Sequence, residues 1–201
     1  MLIIQMWNHN IHFHHYLLLQ LPNQIDRALD IGCGLGLFTL KLAERSKLVE
    51  AIDVDREILN EASIQHPASN ISYQYADFLE ADLAKDSYDA IVSIASLHHM
   101  DLEAALKKMK SLLRPSGKLL ILGLYREATI TEYAYSAISV PLNSIYSIWH
   151  RKPTTISSKV ASICPARLSL KQIQIVINEI IPGCYFQRHL FWCYSLIWQK
   201  P

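Results

Sequence analysis

The sequence predicts an α/β protein in which a doubly wound parallel sheet ends in an antiparallel hairpin. Three observations predict it. Apolar, β-rich runs alternate with helical patterns through the first 125 residues, the strand runs are apolar at nearly every position, and the last two strand-like runs are separated by only three residues. Near-continuously apolar strands belong to a sheet covered on both faces, and the helices between them supply right-handed crossovers. Three residues are too few for a parallel crossover, so the last pair is a hairpin.

Strands are expected at Arg27 to Ile31, Leu48 to Asp53, Ile71 to Tyr75, Tyr88 to Ile94 and Lys118 to Leu124, with helices over 35–45, 56–65 and 101–113. The third helix is the clearest, because Leu102, Ala105, Leu106, Met109, Leu112 and Leu113 recur at helical spacing. Pro115 and Gly117 are expected to end it. After Leu124 the rhythm breaks. Residues 127–150 are mostly uncharged and apolar, 151–168 are polar with Pro153 and Pro165, and Ser169 with Gln172 forms a capping-box pattern ahead of a helix at 170–180. Cys184 to Leu190 and Tyr194 to Gln199, parted by Phe191-Trp192-Cys193, are the hairpin strands.

With 201 residues, 51% of them hydrophobic and 18% charged, the chain is long and apolar enough for one sizeable core, and no linker or repeat divides it. One domain, 1–201, is expected. The balance of 19 Lys+Arg against 18 Asp+Glu leaves no overall field to hold a polyanion, so nucleic acid is not an expected partner. Cysteines at 33, 164, 184 and 193 form no CxxC pair, which argues against a zinc knuckle or a disulfide framework and for a reducing cytoplasm. The apolar start, Met1 to Trp7, lacks a basic flank and is too short for a signal peptide. No apolar run approaches the roughly 20 residues that span a bilayer.

The sharpest local signal is Ala28-Leu29-Asp30-Ile31-Gly32-Cys33-Gly34-Leu35-Gly36, a strand running into a glycine-rich turn that opens a helix. Glycines let the backbone turn tightly and approach a ligand closely, and a helix N-terminus offers N–H groups. Asp53 ends the second strand, where a carboxylate in this topology accepts from both ribose hydroxyls. A dinucleotide site uses GxGxxG and a phosphate loop GxxxxGK[ST]; the spacing here is GxGxG, preceded by Asp30. That spacing lowers the odds of NAD or ATP.

Over residues 25–125 these features resemble the class I S-adenosylmethionine-dependent methyltransferases. The likeness rests on the Asp30 loop, Asp53, Tyr75-Ala76-Asp77-Phe78, Tyr88-Asp89-Ala90-Ile91-Val92, Leu97-His98-His99-Met100 and Leu112-Leu113-Arg114-Pro115-Ser116-Gly117-Lys118. The resemblance implies a Rossmann-like seven-stranded sheet of order 3-2-1-4-5-7-6 with strand 7 antiparallel. It implies S-adenosyl-L-methionine as methyl donor, leaving S-adenosyl-L-homocysteine. Gly32, Gly34 and Gly36 would pass under the donor's amino acid part, Asp30 would orient its ammonium and Asp53 would hold the ribose. Val54 would pack on the adenine, Asp77 would accept from its amino group, Phe78 would supply a backbone N–H, and Ser93 to His98 would line the space beside the methyl group. Asp55 is read as a helix cap.

Acceptor choice is expected outside this shared core, in 1–25 as an N-terminal lid and in 125–170 as an insertion capping the acceptor. His9, Asn10, His12 and Tyr16 are lid candidates, by resemblance to small bacterial methyltransferases that open on a similar WxHNxHxH pattern. The cluster His9, His12, His14 and His15 is not expected to hold a metal, because no Cys, Asp or Glu accompanies it. His98 and His99 are candidate general bases, and Tyr125 with Arg126 could orient an acceptor carboxylate or phosphate. The apolar insertion, with Tyr133, Tyr135, Tyr146 and Trp149, could wall an apolar acceptor pocket, touch a membrane or join a dimer partner. The Asn/Asp-Pro-Pro-Tyr/Phe motif that the family's amino-methylating DNA and protein enzymes carry after strand 4 is replaced by Ser93-Ile94-Ala95-Ser96. A small-molecule acceptor is therefore expected. The rivals are a non-catalytic module binding S-adenosylmethionine or S-adenosylhomocysteine, and a nicotinamide-dependent oxidoreductase.

Overall fold

A computed structural model of the chain describes residues 3–5, 9–149, 152–154 and 165–201. Side chains at 3–5, 9, 146–149 and 152–154 lie outside the described set. Seven strands form one sheet: β1 (Ile25–Ile31), β2 (Ser46–Asp53), β3 (Ile71–Tyr75), β4 (Tyr88–Ile94), β5 (Leu113–Leu124), β6 (Tyr185–Arg188) and β7 (Cys193–Gln199). Their order is β3-β2-β1-β4-β5-β7-β6, as expected. The first five pair in parallel and β7 runs antiparallel to both β5 and β6.

Alternation along the strands builds both faces. Leu29, Ile31, Tyr88, Ile91, Leu119 and Ile121 point to one side, where they meet α5 (Leu102–Leu112) and α7 (Leu170–Ile180). Ala28, Ala90, Val92, Leu120 and Leu122 point to the other, where they meet α3 (Leu37–Ala43). Two short helices, α1 (His9–His12) and α2 (His14–Leu19), share this second side, and Phe13, Leu17 and Leu21 belong to its core. Much of the segment expected to be a lid is thus structural. The next helix, α4 (Arg56–Gln65), is capped by Asp55, whose carboxylate accepts from the N–H groups of Glu57 and Ile58. Helix α7 opens on the full capping box of Ser169 and Gln172.

The junction of α5 and β5 differs most from the sequence-based expectation. Helix α5 passes directly into β5 at Leu113, so Pro115 and Gly117 lie inside the strand rather than ending the helix. Proline disfavours the helical conformation for the residue before it. The chain turns extended at Leu113, and the register jumps from Tyr88↔Leu113 to Ala90↔Lys118 around a left-handed Ser116. A second, two-stranded sheet pairs Ile3–Gln5 with Lys152–Thr154, a contact between distant segments that no local pattern announces. The insertion contains one long helix, α6 (Ile130–Trp149). Its flanks close on each other, because the Arg126 N–H donates to the Leu168 carbonyl at 2.9 Å.

At the amino edge of the sheet, β1, β2 and β4 are tied by one polar cluster. The buried Glu50 carboxylate accepts from the Tyr88 hydroxyl at 2.5 Å and from Arg27 Nε at 2.8 Å, and the Arg27 guanidinium lies 4.8 Å from the centre of the Tyr88 ring. Removing a donor to a buried carboxylate costs about 1.5–3 kcal/mol. Tyr88→Phe is therefore expected to lower the unfolding free energy by roughly that amount in a urea titration, with the native circular dichroism spectrum retained.

Candidate functional site

The carboxyl ends of β1 and β2 hold the glycine turn. Gly32, Gly34 and Gly36 all have positive φ, at 68°, 52° and 73°, a region that favours glycine. The Ile52 carbonyl accepts from both Gly32 N–H at 2.8 Å and Cys33 N–H at 3.1 Å, pinning the loop to β2. A Cβ on Gly32 would lie 2.3 Å from the Cβ of Ser96, and one on Gly36 would lie 2.6 Å from the Tyr73 hydroxyl. Above Gly34 nothing comes within 4 Å. The loop is thus packed from below and from one side, and open where its middle glycine faces out.

One carboxylate borders that opening and a second is buried nearby. Asp53 Oδ2 accepts from the Gly34 N–H at 2.9 Å, and Oδ1 accepts from the Asp55 N–H at 2.9 Å. Asp30 is buried and accepts from Thr39 Oγ1 at 2.6 Å. Burial raises its pKa to about 6; the Thr39 bond opposes this and the Asp53 charge adds to it. Burial also pushes the Cys33 thiol up, helped by the two carboxylates, so it stays protonated. A cationic group beside the loop would relieve the repulsion between Asp30 and Asp53. The residues present therefore suit a ligand with an ammonium and a ribose.

Asp77 lies after β3, where its Oδ1 accepts from the Leu79 N–H at 2.8 Å, so its carboxylate also shapes a turn. Phe78 is buried in the core with its ring 5.3 Å from Lys108 Nζ, while Val54 is exposed. Ser93 is buried beneath the site, 2.6 Å from Ser96 Oγ, which donates to the Ile31 carbonyl at 2.8 Å. Thr39, Tyr73 and Ser96 are the supporting residues that sequence reasoning missed in these roles. Thr39 was legible as a hydroxyl in the first turn after the glycine loop; the approaches of Tyr73 and Ser96 are made across strands and have no local signature.

His98 and His99 follow β4 on a short 3₁₀ turn, Leu97–His99, with ring centroids 4.1 Å apart. Together with Leu97, Met100, Leu124, Arg167 and Tyr194 they line a cleft of about 340 Å³ at the carboxyl edge of β4 and β5. Arg167 was not among the expected site residues. Arg126 is exposed. Tyr125 is not available to orient an acceptor from the surface: it is buried in the core, and that burial raises its hydroxyl pKa.

The N-terminal histidines diverge. His14 is buried against Phe38, with Nδ1 3.3 Å from Lys41 Nζ, and burial with that charge lowers its pKa to about 4. The His12 ring meets Phe13 and Phe191. Tyr16 faces the hairpin, with its hydroxyl 3.4 Å from Ser195 Oγ, and not the glycine loop. Asn10 lies on α1, and the side chain of His9 is outside the described residues.

Residues 29–121 match a family described as a methyltransferase domain. An uncharacterized methyltransferase of Mycobacterium tuberculosis is 28% identical over 98% of both chains. A ubiquinone biosynthesis O-methyltransferase of Xanthomonas axonopodis pv. citri is 35% identical over 50% of this chain and 44% of its own. Among solved structures, an S-adenosylmethionine-dependent methyltransferase from Mesorhizobium loti superposes with a TM-score of 0.66 at 17% identity, covering 92% of this chain and 96% of that one. The N-methyltransferase NodS from Bradyrhizobium japonicum, in complex with S-adenosyl-L-homocysteine, gives 0.62 at 20% identity, covering 95% and 87%.

The buried Asp30 carboxyl has a direct consequence for stability. Its folded pKa, about 6, lies above its ordinary value of 3.8, so the ionised form opposes folding. The penalty is absent below the unfolded pKa and complete above the folded one, reaching roughly 3 kcal/mol. Asp30→Asn is expected to melt with the wild type near pH 4 and above it at pH 8. Equal melting temperatures at both pH values in differential scanning calorimetry would contradict this.

Proposed function

Because the chain is a class I S-adenosylmethionine-dependent methyltransferase, we propose that it moves a methyl group to a small, partly apolar acceptor held in the cleft beside His98, His99 and Arg167. One observation carries this reading. The open face of Gly34 lies beside the Asp53 carboxylate, with the buried Asp30 close enough for the two charges to interact, and the cleft opens at the same sheet edge along β4 and β5. Ligands of open α/β sheets sit outside the carboxyl ends of the strands.

The donor supplies an already electrophilic methyl on a sulfonium, so the chain's own work is to align, to exclude water and to receive a proton. Asp53 holds the ribose, Asp30 faces the ammonium, and Gly32, Gly34 and Gly36 let the backbone approach. Asp77, the Phe78 N–H and the exposed Val54 are proposed around the adenine, with Ser93 supporting the floor. Leu97, Met100 and Leu124 give the cleft apolar walls, and Arg167 offers a cation for an acidic substituent. His99 is exposed at the rim and is the proposed general base, with His98 half-buried beside it. Arg126 serves the same edge, and Asn10 and His12, with His9, are proposed to cover it. The ubiquinone relative favours oxygen as the methylated atom. A reducing compartment such as the cytoplasm suits the thiols of Cys33, Cys184 and Cys193, which are free.

Calorimetric titration is expected to show micromolar binding of S-adenosylmethionine and S-adenosylhomocysteine, with NAD failing to compete. Asp53→Ala should weaken both by about tenfold or more, the loss of a charged hydrogen-bond acceptor, with the fold intact by circular dichroism. A folded wild type that binds NAD and neither sulfur compound would overturn the proposal. With an acceptor found by following S-adenosylhomocysteine release, His99→Gln is expected to lower kcat by about 100-fold while leaving donor affinity unchanged.

A further inference from the structure

The turn after β3 has to pair its own backbone and hold like charges together. It lies between β3 and β4 and belongs to neither strand, so its polar groups are met locally or by side chains. Asp77, Glu80 and Asp82 put three carboxylates into six residues. The N–H groups gather on Asp77: its carbonyl accepts from Glu80 at 3.2 Å and from Ala81 at 2.8 Å, and its carboxylate accepts from Leu79 at 2.8 Å. The carbonyls are met from another element. On α5, the Lys108 ammonium donates to the Leu79 carbonyl at 3.0 Å and to the Ala81 carbonyl at 2.6 Å, and lies 5.3 Å from the centre of the Phe78 ring.

The neighbouring lysine shows the ordinary alternative on this helix. Lys107 is 63% exposed and pairs with Glu103 one turn back, a surface contact of small value. Lys108 is half-buried and crosses to a loop far away in sequence. An ammonium is suited to that place, because it offers three donors to carbonyls, is attracted to the face of an aromatic ring and relieves repulsion among nearby carboxylates. The clamped turn contains the two groups proposed for the adenine, the Asp77 carboxylate and the Phe78 N–H. With Oδ1 of Asp77 committed to the Leu79 N–H, Oδ2 is the oxygen left for a ligand.

We infer that Lys108 is a positioning residue for the adenine of the methyl donor, holding the turn from Asp77 to Ala81 in the shape that reads the base. The inference rests on the donor site proposed above and adds to it a residue that acts through the turn rather than by contact with the donor. The test is calorimetric titration of the full chain with S-adenosylhomocysteine and with S-inosylhomocysteine, whose base carries an oxo group in place of the amino group and a hydrogen on N1. The wild type is expected to prefer the adenosyl compound by about 100-fold, because the inosyl base turns an acceptor toward Asp77 and a donor toward the Phe78 N–H. Lys108→Met keeps the apolar stem and removes the ammonium. It is expected to weaken the adenosyl compound by about tenfold and the inosyl compound by less than about twofold, so that most of the preference is lost. Lys108→Arg, which can still donate to both carbonyls, should restore it, and Lys107→Met should leave both affinities unchanged. Amide hydrogen exchange over residues 77–81 of the ligand-free protein is expected to quicken in Lys108→Met, with the circular dichroism spectrum retained. If Lys108→Met does not fold, Lys108→Gln is read by the same ratio. A folded variant that binds the adenosyl compound like the wild type, or that loses both compounds by equal factors, would overturn the inference, as would a wild type without preference between the two bases. A wild type that binds neither compound would instead sink the methyl-transfer reading, and this one with it.

Discussion

The glycine-loop edge of the sheet depends on how closely the ends of β1, β2 and β4 approach one another. The Ile52 carbonyl receives two N–H groups from the glycine loop, and Ser96 fills the space a Gly32 side chain would need. These contacts hold the loop in left-handed conformations without any ligand. The cost of ordering it is thus met by folding rather than by binding, which is the general basis of preorganised affinity. The same approach brings Asp30 and Asp53 close enough for their charges to interact, and Thr39 donates its hydroxyl to the buried Asp30 carboxylate.

That arrangement costs stability. A carboxylate held out of water, with a second one nearby, opposes folding at neutral pH; a neutral amide of the same shape would not. Such groups persist where a bound cation compensates them. Elsewhere buried charge is treated differently. Glu50 has Arg27 and Tyr88 as partners at the opposite edge of the sheet, and there the burial supports the fold.

The insertion after β5 follows other rules than the core. Its ends meet at Arg126 and Leu168, so it leaves and rejoins the domain at one place and can vary without disturbing the sheet. Helix α6 is attached by hydroxyl and carboxylate contacts, and its apolar side faces away. The sequence suggests an apolar helix broken at Pro141, but the helix runs on through that proline, and composition does not give its orientation because both sides carry small or apolar residues.

What the sequence determined by itself was local and periodic. Near-continuous apolar runs defined five parallel strands, a short separation defined the hairpin, helical spacing defined α5, the Ser169 and Gln172 pair defined the start of α7, and three glycines with Asp30 and Asp53 marked one edge of the sheet. The Asp55 cap was equally plain, since a cap needs only its own next turn. Tertiary structure alone decided which groups meet across elements. It put Tyr125 inside and Arg167 at the cleft, seated Tyr73 on Gly36 and Ser96 on Gly32, and placed Phe13 and Leu17 in the core under a segment that reads as a lid. The physical reason is that propensity and capping act within one or two turns of chain, whereas burial is shared between residues far apart in sequence and exists only once the sheet has formed.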